Sequence, residues 1–258
     1  MKVVASDFDG TILKHGAQKV DDIYFELIRR LKEKGISFIA ASGREYSSMK
    51  YLLEPVKDDI CFICLNGSLI RRGDEIIHFH AIEQDTSMEL ISDMQTIPGT
   101  EIIVSGADAC YMVPHDMQFV RMLTDKVHNN VVVLTDFCEL NRPLSKISIH
   151  WPGGIPETEE KWFHEKYDSR LNVVDGGGGW LDFTNKGVDK GSALLLLSEK
   201  LNFRLEEVIS FGDSENDIAM LQATGISYAM NTAKEHVKAS AMYECEYVSV
   251  ILEQLLQK

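Results

Sequence analysis

Residues 1–11 read MKVVASDFDGT, and the order of elements around them decides the fold. An apolar run at 2–6 ends in two carboxylates, Asp7 and Asp9, with Phe8 between them and Gly10 behind. Short apolar runs without polar alternation mark strands covered on both faces. Beyond the motif, Ile23, Leu27 and Leu31 recur at a four-residue spacing, which predicts a helix over 21–34 with Gly35 as its stop. A second apolar run at 36–41 ends in Ser42-Gly43-Arg44, and a third at 60–65 ends in Asn66-Gly67. Strand, helix, strand in this order is a βαβ unit, which favours parallel pairing.

The same texture returns near the other end. A helical stretch with Ala193, Leu194, Leu197 and Leu201 on one face precedes an apolar run at 208–211. That run ends in Gly-Asp-Ser-Glu-Asn-Asp; a further strand is expected at 226–230 and a closing helix at 248–256. The middle differs. Strands are expected at 101–105, 111–113, 144–150 and 172–174, and helices at 86–96, 118–126 and 156–167, with turn residues at 98–99, 152–154 and 176–179. The fold class is therefore α/β: a doubly wound parallel sheet core made of residues 1–81 and 185–258, interrupted by an α+β insertion over 82–184.

Composition narrows the function. The 258 residues carry 26 Lys and Arg against 40 Asp and Glu, a formal net charge of −14. Such an excess opposes nucleic acid as principal partner and disfavours anionic membrane surfaces. No apolar run approaches the roughly 18 residues of a membrane span, and two aspartates by residue 9 are foreign to a signal-peptide core. Five cysteines, an odd and sparse set, suggest a reducing compartment, so a cytoplasmic protein is expected. Oligomeric state is not readable.

Four polar motifs follow predicted strands or open a predicted helix. Open α/β sheets bind ligands at the carboxyl ends of their strands, beside a topological switch point. Asp7, Asp9 and Asp213 together make a hard, oxygen-rich site suited to Mg²⁺, whereas a lone Asp-x-Asp-Gly would most often just begin a turn. Ser42 and the backbone N–H groups after it make a phosphate cradle, to which Arg44 adds charge; Ser42 as a helix N-cap accounts for the same residues equally well. Lys190 stands at a helix start, where a cation opposes the macrodipole, so it reads either as a point charge for phosphoryl oxygens or as a solvated lysine. Asp213, Asn216 and Asp217 suit metal ligation with outer support, or a capped helix start.

With DFDGT at 7–11, SGR at 42–44, NG at 66–67, GVDKGSAL at 187–194 and GDSENDIAM at 212–220, the chain resembles the haloacid dehalogenase superfamily phosphatases, Cof-type branch, along essentially its whole length. The resemblance implies a Rossmann-like core and a mobile cap of the C2B type in the insertion at 82–184. It implies a Mg²⁺-dependent phosphatase acting on a small phosphorylated metabolite, with a sugar phosphate as the leading class. Asp7 would be the nucleophile that forms an aspartyl-phosphate, and Asp9 the general acid and base. Asp7, the Asp9 backbone carbonyl and Asp213 would hold the metal, with Asp217 supporting that shell or Lys190. Ser42, Lys190 and Asn216 would take phosphoryl oxygens, with Gly43, Arg44 and Asn66 completing the substrate-binding wall. Two departures, Asn-Thr-Ala at 231–233 and the tail at 243–250, bear on the back edge of the core.

Two other functions fit part of this pattern: a phosphomutase of the phosphomannomutase kind, and a non-catalytic regulator that binds phosphorylated metabolites. Cys61 and Cys64 are read as core residues, because positions three apart on a strand face opposite sides. His78 and His80 are read as exposed neighbours on a hairpin strand. Trp151, Trp162 and Trp180 are expected in the core of the insertion, with Trp180 and Asp182 on one face.

Overall fold

The computed structural model describes residues 1–14, 17 and 19–257. In chain order the strands are β1 (Val3–Asp7), β2 (Ser37–Ala41), β3 (Cys61–Cys64), β4 (Leu69–Arg72), β5 (Glu75–Phe79), β6 (Glu101–Ser105), β7 (Cys110–Met112), β8 (Val131–Val133), β9 (Lys146–His150), β10 (Leu171–Gly177), β11 (Trp180–Asn185), β12 (Val208–Gly212), β13 (Ile226–Met230) and β14 (Tyr243–Cys245). The helices are α1 (Asp22–Glu33), α2 (Tyr46–Leu52), α3 (Gln84–Gln95), α4 (Met117–Arg121), α5 (Glu157–Tyr167), α6 (Lys190–Leu201), α7 (Ile218–Ala223), α8 (Glu235–Lys238) and α9 (Val248–Leu256). The chain divides into two compact units. The first holds Met1–Ser42, Met49–Ile77 and Asp189–Lys258; the second holds Gly43–Ser48 and His78–Val188.

The first unit carries an eight-stranded sheet in the order β14-β13-β12-β1-β2-β3-β4-β5. From β14 through β3 every neighbouring pair is parallel, and β4 turns back antiparallel on β3. Strand order runs outward from β1 in both directions, so the switch point lies between β1 and β12. All five residues of β1 are buried, as the uninterrupted apolar run requires. α1 is capped by Asp21, whose side chain accepts from the Ile23 N–H at 3.2 Å, and it buries Tyr24, Leu27, Ile28 and Leu31. On one sheet face Val3, Ile39, Ile63 and Val208 pack with Ala193, Leu194 and Leu197 of α6. The chain's unusual tail at 243–250 closes the sheet as β14 and begins α9.

The second unit has its own six-stranded sheet, ordered β10-β11-β9-β6-β7-β8 and antiparallel except for β7 with β8. Its main core joins Leu90, Ile91 and Met94 of α3 and Phe163 and Tyr167 of α5 to Ile102, Val104, Ile147, Ile149, Leu181 and Phe183 of the sheet. Two strands here differ from the sequence expectation. β8 is a three-valine edge strand too short to show periodicity, and β11 directly follows the glycine turn at Gly177–Gly179 that pairs it with β10. The helix expected over 118–126 is split: α4 runs into a π-helical turn at Met122–Lys126, where Thr124 Oγ1 donates to the Val120 carbonyl at 3.1 Å. Trp151 is core, but Trp162 is 41% exposed, lying on α5 beside Phe163. His78 and His80 are half-buried, with ring centroids 4.3 Å apart.

Phe163 is fully buried, with its ring 5.1 Å from that of Phe183 and 6.2 Å from that of Tyr167. Phe163→Ala should therefore destabilise by about 3–5 kcal/mol. The check is a drop in the urea midpoint; an unchanged midpoint would contradict this packing.

Candidate active site

The carboxyl ends of β1, β2, β3 and β12 share one edge of the first unit's sheet, because all four strands run parallel. This edge gathers Asp7 at the end of β1, Ser42 after β2, Asn66 after β3 and Asp213 after β12. Lys190 arrives from α6, the helix whose N-cap Asp189 accepts from the Ser192 N–H at 2.7 Å.

Lys190 has no exposure, and its Nζ donates to Asp7 Oδ1 and to Asp217 Oδ1, each at 2.7 Å. The reading of Lys190 as a solvated lysine is thereby overturned. Burial alone would lower its pKa, but Asp217 and Asp7 outweigh that and hold it above the ordinary lysine value. Asp7 is shifted the other way. Burial first, then the Asp217 charge, raise its carboxyl well above the usual range, and Lys190 only partly compensates.

Asp7 Oδ2 is buried and has no hydrogen-bond partner. Asp7, Asp213 and Asp217 each bring one carboxylate oxygen within 4.8 Å of the others, so the trio could hold a divalent cation. An orphaned carboxylate oxygen inside a hard-oxygen cluster suits such a cation. Asp217 is also committed within the protein: its Oδ2 accepts the N–H groups of Asp213 and Ser214, both at 3.0 Å. These bonds cap the turn at 215–217, as the capped-start reading expects. Gly212 makes this possible, since a Cβ there would sit 2.5 Å from the Asp217 Cβ.

Ser42 is not a helix cap, because α2 begins only at Tyr46. Its Oγ donates to Asp9 Oδ2 at 3.3 Å. Asn216 Nδ2 donates to Asn66 Oδ1 at 3.0 Å. Gly43 and Arg44 fall in the second unit, where the Gly43 carbonyl accepts from Lys146 Nζ at 3.1 Å and Arg44 Nη1 donates to Ser48 Oγ at 3.0 Å. Thr11 was not singled out from the sequence, yet its buried Oγ1 donates to Asp213 Oδ1 at 3.5 Å. Its place in DFDGT was the only available signal.

The second unit has a polar cluster of its own. Lys146 Nζ and Ser148 Oγ donate to the two Asp182 oxygens at 2.8 and 2.6 Å, and Ser105 Oγ donates to Glu45. Burial pushes the Glu45 carboxyl up. The expectation that Trp180 and Asp182 share a face follows from their two-residue offset on β11. Among the described residues no helix is long and apolar enough to cross a membrane.

Known proteins resemble this chain along nearly its whole length. A family model for haloacid dehalogenase-like hydrolases matches residues 4–249. The 5-amino-6-(5-phospho-D-ribitylamino)uracil phosphatase YbjI of Escherichia coli (strain K12) is 25% identical over 243 residues, covering 94% of this chain and 90% of that protein. A crystal structure from Eubacterium rectale is 29% identical with a TM-score of 0.87, covering 99% of each chain. The structure of a subclass IIB sugar phosphatase of the same superfamily, BT4131, is 24% identical with a TM-score of 0.84 and 99% coverage of each, a likeness of fold.

A carboxyl whose folded pKa is raised costs stability as pH climbs above its unfolded value of about 3.9. Asp7→Asn, which leaves Lys190 paired with Asp217, should therefore raise the Tm of the cation-free protein at pH 7. The gain should shrink as pH falls toward about 4, since a raised carboxyl costs less stability there. Thermal melts at both pH values, with chelator present, provide the measurement.

Proposed function

This chain belongs to the haloacid dehalogenase-like hydrolases, and on that premise we propose that it is a Mg²⁺-dependent phosphatase of a small phosphorylated metabolite. A sugar phosphate is the leading substrate class. The observation that carries the reading is the buried set of Asp7, Asp213, Asp217 and Lys190 at one sheet edge. The relative YbjI is named for a ribityl phosphate substrate, and BT4131 for sugar phosphates. Residues 82–184 are the C2B-type cap of this reading, and its localisation is cytoplasmic.

Asp7 attacks phosphorus: a carboxylate oxygen–phosphorus bond forms as the bond to the leaving oxygen breaks, giving an aspartyl-phosphate. Lys190 holds Asp7 Oδ1, which fixes the carboxylate and leaves Oδ2 without a protein partner. Asp9 protonates the leaving oxygen. It then takes a proton from the water that attacks phosphorus, which releases phosphate and restores the Asp7 carboxylate. The Ser42 hydroxyl orients Asp9 through its bond to Oδ2, a task beside its proposed contact with phosphoryl oxygens. Lys190 and Asn216 take further phosphoryl oxygens. Gly43, Arg44 and Asn66 contribute to substrate binding by their places after Ser42 and β3.

Asp7, the Asp9 backbone carbonyl and Asp213, with Asp217 in the same acidic cluster, would hold Mg²⁺, which when bound would supply neutralising charge at the phosphoryl group. Four carboxylates would otherwise repel an anionic substrate in a chain whose net charge is already −14.

With an aryl phosphate as substrate, hydrolysis should require Mg²⁺ and stop on adding EDTA. Asp7→Asn should lower kcat by at least about a thousandfold, as loss of a nucleophile does. Full activity in that variant would sink the mechanism. With a hexose 1-phosphate the expected product is free phosphate; accumulation of the 6-phosphate would favour the phosphomutase instead.

A further inference from the structure

The turn after β3 is held in a conformation its residues resist. Leu65 and Asn66 have φ of 52° and 56°, and Gly67 follows at 106°. Asparagine tolerates this left-handed region, but a leucine there is strained, and Leu65 is fully buried. Strain of this kind persists only where surrounding contacts impose it.

Those contacts converge on Asn66. Its backbone N–H donates to the Ser42 carbonyl at 3.1 Å, tying the turn to the residue that follows β2. Its side-chain Oδ1 accepts from Asn216 Nδ2 at 3.0 Å, across 150 residues of chain. The next residue, Gly67, lies so close to the start of α6 that a Cβ would sit 2.3 Å from the Asp189 carbonyl oxygen, one residue before Lys190. One turn thus touches the Ser42 segment, the Lys190 helix and the loop of Asp213, Asn216 and Asp217.

In that loop the Asn216 side chain is held at one end. Its Oδ1 is buried and has no hydrogen-bond partner, and its Nδ2 is held by Asn66. A primary amide can turn over and exchange its donor and acceptor ends at little steric cost. Opposite Asn66 Oδ1, the turned amide would set oxygen against oxygen. We infer that Asn66 is a positioning residue: its carbonyl takes one Nδ2 hydrogen of Asn216 and so fixes which end of that amide, the second N–H or the oxygen, faces the reacting groups. The inference rests on the phosphatase reading and reassigns Asn66 from a substrate contact to a residue that acts through Asn216. The strain at Leu65 then has a role, because it places the Asn66 side chain where an unstrained turn would not.

The test is a double-mutant cycle on hydrolysis of an aryl phosphate with Mg²⁺. Asn66→Gly suits the left-handed backbone and deletes only the amide, so the variant should fold with a Tm near that of the wild type. It should lower kcat about tenfold, on the order of one lost orienting hydrogen bond, with little change in KM. In an Asn216→Ala background the same substitution should cost nothing further. Asn66→Asp keeps the acceptor, so kcat should return to within about threefold of wild type, while KM rises because the new charge opposes an anionic substrate. Losses that multiply in the double variant, or an Asn66→Asp enzyme as slow as Asn66→Gly, would overturn the inference.

A second readout does not need activity. The Asn216 Nδ2 protons, followed by NMR, should be exchange-protected in the wild type and in Asn66→Asp and unprotected in Asn66→Gly. No difference between them overturns the positioning role. A wild-type protein that hydrolyses no phosphate ester yet shows the NMR difference overturns the phosphatase reading alone.

Discussion

A lysine ammonium with no exposure, held between Asp7 and Asp217, is the interaction on which the active edge depends. A charge removed from water is tolerated only when paired, and losing the lysine would leave two buried carboxylates without their shared counter-charge. The two carboxylates come from the end of β1 and the turn after β12, and the lysine from the first position of α6. Satisfying the lysine therefore fixes three separate chain segments against one another. It also explains a cation at a helix start, where the macrodipole alone would repel it.

Other features of the edge serve that arrangement. Asp217 spends one oxygen on Lys190 and the other on two backbone N–H groups, so the loop that presents Asp213 is braced from within. Thr11 reaches Asp213 from the turn that follows the Asp7 strand. What remains unbalanced is Asp7, whose second oxygen has no partner and whose pKa is raised by burial first and by the Asp217 charge second. A divalent cation held by these carboxylates would relieve both conditions together.

Much of this was legible in the residues. The apolar runs that became β1, β2, β3, β12 and β13 were short, unalternating and bounded by turn residues, so both their identity and their parallel pairing could be anticipated. The residues that end them could be named as a group because parallel strands share a carboxyl edge. In the second unit the pattern was weaker. Three valines cannot show a period, a run of four glycines hides the register of the strand behind it, and a π-helical turn looks like continuous helix at the level of spacing. Trp162 departs from the core position expected for it for a related reason: on α5 it neighbours the fully buried Phe163, but faces outward.

The sequence by itself determined the order of elements, the set of chemically useful side chains and the family resemblance, because these depend on residue type and local spacing. Only the tertiary structure decided which of those side chains meet. That Lys190 is buried rather than solvated, that Asp217 is shared between an ammonium and two amides, and that Asn66 grips Asn216 are all consequences of long-range packing. No local pattern encodes them, since hydrogen bonds across 27, 150 or 183 residues exist only once the sheet has brought its strand ends together.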